Sequence, residues 1–128
     1  MLSDRLLLIL AALGLVPIAL SYGLVPSQTL PFLIDLQVEG QSQTHVFRAV
    51  MGLYLANVIL WLAGAAMPSL TGAALWSLLI FMAGLAAGRV ISLIIDGIPG
   101  PVLIFYLCAE VVFAVLAFIN LSKSGSRE

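Results

Sequence analysis

The sequence predicts an all-α membrane protein: an antiparallel bundle of four transmembrane helices, with a long outer loop between the first and second. Three observations carry this. Hydrophobic residues make up 62% of the 128 residues and charged ones 9%, where soluble domains carry ~45–50% and ~25%. That leaves too little polar surface to coat a water-facing globule. The apolar residues fall into four runs of ~20, each ~30 Å long as helix, which matches the hydrocarbon core of a bilayer. The breaks between runs hold the Pro and Gly that end helices. The whole chain, 1–128, reads as a single integral-membrane domain.

Taken in order, the first span covers Leu6 to about Val25. Pro17 lies inside it and should kink the helix, which membrane helices tolerate. A secretory signal cleaved near Ser21 is the competing reading. Apolar character continues past Ser21, and Asp4 offsets Arg5, so an uncleaved helix is expected. The second span runs from about His45 to Ala66, and the third from Ala73 to Ile95, after a Met67–Gly72 turn. The fourth runs from Pro101, a favoured first helical residue, to Leu121, leaving 122–128 as a polar, disordered tail. Between the first two spans lies Ser27–Thr44, whose apolar stretch Leu30–Leu36 is too short to cross. Two readings stay open for it: an interfacial helical turn over the bundle mouth, or a linker touching the headgroups.

Lys and Arg set orientation, because cytoplasmic loops carry their excess. Both termini and the Met67–Gly72 turn share one side, which holds Arg5, Lys123 and Arg127. The opposite side has Asp35, Glu39 and Asp96 but no Lys or Arg. Both termini should therefore be cytoplasmic and the long loop outside.

Ionisable residues inside spans cost ~2.5–3.5 kcal/mol each even on the milder insertion scale, so each needs a partner or water. Arg48, Arg89 and Glu110 lie in spans two, three and four, with His45 and Asp96 at the ends of spans two and three. From the helical rise, Arg48 sits about 5 Å, Arg89 about 10 Å and Glu110 about 14 Å below the outer edge. The spacings His45–Arg48–Gly52, Arg89–Ser92–Asp96 and Tyr106–Glu110–Phe113–Ala117 each make one helical stripe. These stripes predict an inward-facing, charge-neutral cluster of His45, Arg48, Arg89, Ser92, Asp96, Tyr106 and Glu110. Arg89–Glu110 is its deep pair and Arg48–Asp96 its shallow one. The cluster is either a structural lock or an outward-opening ligand pocket, roofed by Leu30–Leu36 and set between spans two, three and four. Small residues at Gly52 and Ala56, and at Gly84 and Gly88 in a GxxxG pattern, are expected to let helices pack closely inside the bundle. Asn57, on the Tyr54–Asn57–Trp61 face, is available to bond a neighbouring helix or a partner protein.

The segments His45–Tyr54 and Ala83–Pro99, with the pattern Gly88-Arg89…Ser92-Leu93…Asp96-Gly97-Ile98-Pro99, resemble a family of small bacterial four-helix membrane proteins, the domain-of-unknown-function family 4345. The Tyr106…Glu110 spacing also fits, and the resemblance covers roughly residues 10–120. It implies four spans in a bacterial inner membrane and brings no established activity.

Function classes narrow by elimination. Cys108 and His45 are the only Cys and His, so no disulfide or Cys/His metal site arises within the chain, and no cofactor is expected. A net charge of −1 gives no nucleic-acid face. The expected partners are membrane lipids, and a protein partner or a second copy of the chain. The reading is a non-enzymatic protein that binds an amphipathic, lipid-like ligand, or an accessory subunit of a membrane complex. The alternative is a lipid-modifying enzyme using Glu110 as acid/base and Arg89 as its electrostatic tuner. A transporter is disfavoured, because no internal repeat is evident.

Orientation is directly testable. In a Cys108→Ser background, an impermeant maleimide applied to intact cells should label Ser42→Cys and spare Ser124→Cys. The reverse pattern would invert the topology.

Overall fold

The computed structural model describes residues 2–125, and it is all-helical among them. Its five helices are α1 (Asp4–Gly23), α2 (Pro26–Ile34), α3 (Gly40–Ala66), α4 (Pro68–Asp96) and α5 (Pro101–Gly125). Four of them, all but α2, are long and apolar enough to cross a membrane.

Local chemistry explains the boundaries. Ser3 caps α1 by accepting the Leu6 N–H at 3.1 Å, which satisfies one of the amides that a helix start leaves unpaired. α1 runs unbroken through Pro17. Pro26 then opens α2, one residue before the expected loop. α2 ends on Asp35, whose φ of 54° is left-handed, a conformation Asp tolerates better than most residues. The N–H groups of Asp35 and Leu36 both donate to the Leu30 carbonyl. Most of the apolar stretch expected at Leu30–Leu36 is thus helical, as part of α2.

α3 starts five residues before the expected His45. The Gln43 side chain reaches back to accept the Glu39 N–H at 2.7 Å, so the polar turn Gly40–Thr44 is helical. The expected Met67–Gly72 turn shrinks to Met67 alone. Pro68, with φ preset for a first helical turn, starts α4 at once. The Thr71 hydroxyl donates to the Gly64 carbonyl at 2.6 Å, tying this reversal together. At the other end of the chain, α5 continues through 122–125, where a disordered tail was expected; 126–128 lie outside the described residues.

Packing begins with α1, the most buried span. It presents Leu7, Leu8, Ala11, Ala12, Leu15 and Ala19, all buried, chiefly to α3. α3 packs on α4 and α4 on α5, whereas α5 returns to α1 only weakly. An aromatic ladder crosses the first three of these spans. Tyr22 meets Tyr54 edge-on at 5.7 Å, Tyr54 meets Phe81 at 5.2 Å and Phe81 meets Trp61 at 5.6 Å, in the edge-to-face geometry that aromatic quadrupoles favour. Asn57 bonds a neighbouring helix, as its face allowed: its Oδ1 accepts the Ser77 hydroxyl at 2.9 Å, and that hydroxyl takes the Trp61 Nε1–H at 3.3 Å.

The expected close-packing residues are not the ones that pack closely. Gly52, Ala56, Gly84 and Gly88 are exposed, and a Cβ added at Gly52, Gly84 or Gly88 would meet nothing within 4 Å. The tight approaches are at Gly23, against Met51, and at Gly64, against Ala74. Gly64 lies beside the one-residue reversal, where two helix backbones are forced together. GxxxG spacing makes close approach feasible but does not choose the face that is used.

A mutational contrast checks this. Gly64→Ala should lower the unfolding free energy by ~1–3 kcal/mol, because the new methyl meets a backbone-anchored Cβ that cannot swing away. Gly84→Ala and Gly88→Ala should leave thermal unfolding in detergent within ~0.5 kcal/mol of the parent.

Candidate functional site

The inward face of α4 is set by helical spacing: Leu78, Met82, Leu85 and Arg89 recur at i, i+4, i+7 and i+11. On α5 the stripe Tyr106–Glu110–Phe113–Ala117 turns inward as expected, with Glu110 5% exposed and Ala117 fully buried. The two faces meet at Arg89 and Glu110. The Arg89 Nε–H donates to the Glu110 carboxylate, whose Oε2 lies at 3.1 Å. The guanidinium also sits 5.8 Å from the centre of the Tyr106 ring, within the range of a cation–π contact. Opposite charges this deep in hydrocarbon are tolerable only as such a pair.

The pair closes one end of a cavity of about 200 Å³. Gly14, Leu15 and Ile18 of α1, Leu85 of α4, and Phe105 and Ala109 of α5 form most of its apolar wall. Tyr54 and Tyr106 bring the remaining polar atoms. The expected place of the pocket is between spans two, three and four. It lies instead between α1, α4 and α5, with Tyr54 the only α3 residue in its lining, and no residue of α2 roofs it.

The other expected cluster members are elsewhere. His45 and Arg48 are exposed, and they line an open polar groove with Ser27, Gln41 and Thr44, where the start of α3 faces α2. The reason is geometric. α3 buries Tyr54, Val58 and Trp61, and His45 lies about half a turn round the helix from Tyr54. No Arg48–Asp96 ion pair forms among the described residues. Asp96 accepts instead from the Ser92 hydroxyl at 2.7 Å, and both are exposed on the outermost turns of α4.

Two features leave little trace in the sequence. α1 has the pattern of a plain span, yet its Ala11–Gly14–Leu15–Ile18 face builds a cavity wall. Asn120 is buried, and its Nδ2 donates to Asp4 Oδ1 at 2.9 Å and to the Leu2 carbonyl at 3.3 Å, clamping α5 to α1 at the terminal end of the bundle. A polar residue near the end of an apolar run was the available signal for the second.

A model of a domain of unknown function, DUF4345, matches residues 3–121. The chain belongs to this family. Its members are defined by sequence rather than by a known activity, so the DUF4345 match leaves the role of the cavity to physical argument. No curated protein and no solved structure matches the chain.

The pair has a measurable signature. Arg89→Leu alone should cost ~3–5 kcal/mol, because it strands a buried carboxylate. Adding Glu110→Leu should restore most of that loss, measured as thermal unfolding in detergent. A double variant no more stable than the single would mean that the two groups are not coupled.

Proposed function

We propose that this DUF4345 protein is a non-enzymatic binding protein of the bacterial inner membrane, with both termini cytoplasmic, and that it holds an amphipathic, lipid-like ligand in the cavity between α1, α4 and α5. One observation carries the reading: an apolar chamber that ends at a neutral, paired polar group. Ligand sites combine apolar walls with a few convergent polar groups in this way. A pure lock would have no use for the space, since close packing of the pair alone is the more stable arrangement.

Binding is favoured over catalysis by the lining itself. It contains no Ser, Thr, Cys, His or Lys, so the only ionised groups at hand are two that neutralise one another. An accessory-subunit role would use the outer surface instead, and no feature of the cavity calls for it.

Native mass spectrometry of protein taken from its host membrane tests the proposal. The parent should retain a small lipid-like adduct, and Ala109→Phe, which fills the chamber, should lose it while keeping a cooperative thermal transition. A parent without adduct, or a folded Ala109→Phe protein that keeps it, would overturn the reading.

A further inference from the structure

We infer that the ligand is an uncharged, single-chain amphipath that enters sideways from the bilayer between α1 and α5, places a small hydrogen-bonding head against Arg89, Glu110 and Tyr106, and leaves its chain among the lipids. This rests on the binding role proposed above and adds route, size and charge to it.

The route follows from packing. α1 and α5 are clamped at the terminal end by Asn120 with Asp4 and Leu2, and at the outer end α2 touches both. Between those contacts the two spans barely meet. Two residues that line the cavity are also open to the surroundings on this side. Phe105 is 68% exposed, and Gly14 has no atom within 4 Å of the place a Cβ would take. The cavity therefore opens into the hydrocarbon of the bilayer rather than into water.

Size comes from the volume. About 200 Å³ accommodates roughly seven groups the size of a water molecule, at ~30 Å³ each. That suits a compact head and its first carbons. It cannot enclose a long chain, which must leave through the opening.

Charge comes from depth and balance. Glu110 lies nine residues into α5, about 14 Å below the outer edge of the hydrocarbon. A phosphate-bearing lipid would have to drag its charge that far from water, whereas a neutral head crosses at much lower cost. Once there, an anion would find the Arg89 charge already matched by Glu110, and one of the two carboxylate or phosphate groups would be left unpaired. A hydroxyl or carbonyl head faces neither obstacle, and it can exchange hydrogen bonds with the pair and with the Tyr106 hydroxyl.

The test uses full-length protein in vesicles of phosphatidylethanolamine and phosphatidylglycerol, with hexadecanol carrying a mid-chain diazirine as probe. Saturable photolabelling is expected on α1 and α5 peptides. Unlabelled hexadecanol should compete about tenfold better than hexadecyl phosphate, a ratio equivalent to ~1.4 kcal/mol. Gly14→Trp, which plugs the opening, should abolish labelling, while Leu13→Trp, one position away and facing lipid, should preserve it. Phe105→Ala removes only an exposed ring and should speed probe release, which keeps the route testable should Gly14→Trp fail to fold. Equal competition by the phosphate ester would overturn the neutral head. Labelling confined to the outer faces of α3 and α4, or unchanged in folded Gly14→Trp, would overturn the route. If labelling fails while the native adduct persists and is lost in Ala109→Phe, this inference falls and the binding role stands; loss of the adduct as well removes both.

Discussion

α1 carries Ala11, Ala12 and Ala19 along the side it buries, and these small side chains let its backbone lie close to α3, with Gly23 against Met51 at the far end. Within a bilayer there is no hydrophobic gain in joining two apolar helices, so such close van der Waals contact decides which helices pair. Seated on α3, α1 makes little contact with α5. The one-residue link at Met67 and the short Gly97–Gly100 link hold α3, α4 and α5 as sequential neighbours. α5 is thus adjacent to α4 but only pinned to α1 at the ends, and the space left between them is the cavity.

The ion pair belongs to this geometry as much as to its own chemistry. A guanidinium and a carboxylate more than a headgroup's depth inside the membrane must meet each other, which draws α4 and α5 into register at Arg89 and Glu110. Once paired they form a neutral polar surface bordering the empty volume. The polar contacts away from this chamber are of a different kind. Asn57, Ser77 and Trp61 satisfy one another between α3 and α4, and Asn120 joins the chain ends. These are bonds within the scaffold, leaving the Arg89–Glu110 pair, with Tyr54 and Tyr106, as the polar groups that line the chamber.

Arg89, Tyr106 and Glu110 were legible as a group because helical spacing and depth place all three inward at similar levels. His45, Arg48, Ser92 and Asp96 obey the same spacing at shallower depth, yet stand outside the cluster. A stripe shows which residues share a face, and it is silent on where that face points. On α3 the bulk of Tyr54, Val58 and Trp61 claimed the interior, which turned His45 outward. On α4 the stripe runs past the end of the packed core, so Ser92 and Asp96 stay exposed and bond one another.

The sequence by itself determined the environment, the number of spans, the helical class and the pairing of the two deepest charges. Each of these depends on hydrophobicity and charge summed along the chain, and a bilayer penalises every alternative heavily. Only the tertiary structure decided which faces meet: α1 as a wall of the cavity, Gly64 rather than Gly84 and Gly88 as the tight crossing, and a cavity left between α1, α4 and α5. Those outcomes turn on contacts between residues far apart in the chain. In hydrocarbon, where several apolar faces are equally content, the choice among them rests on the shapes of the helices that pack together and leaves no periodic trace in the sequence.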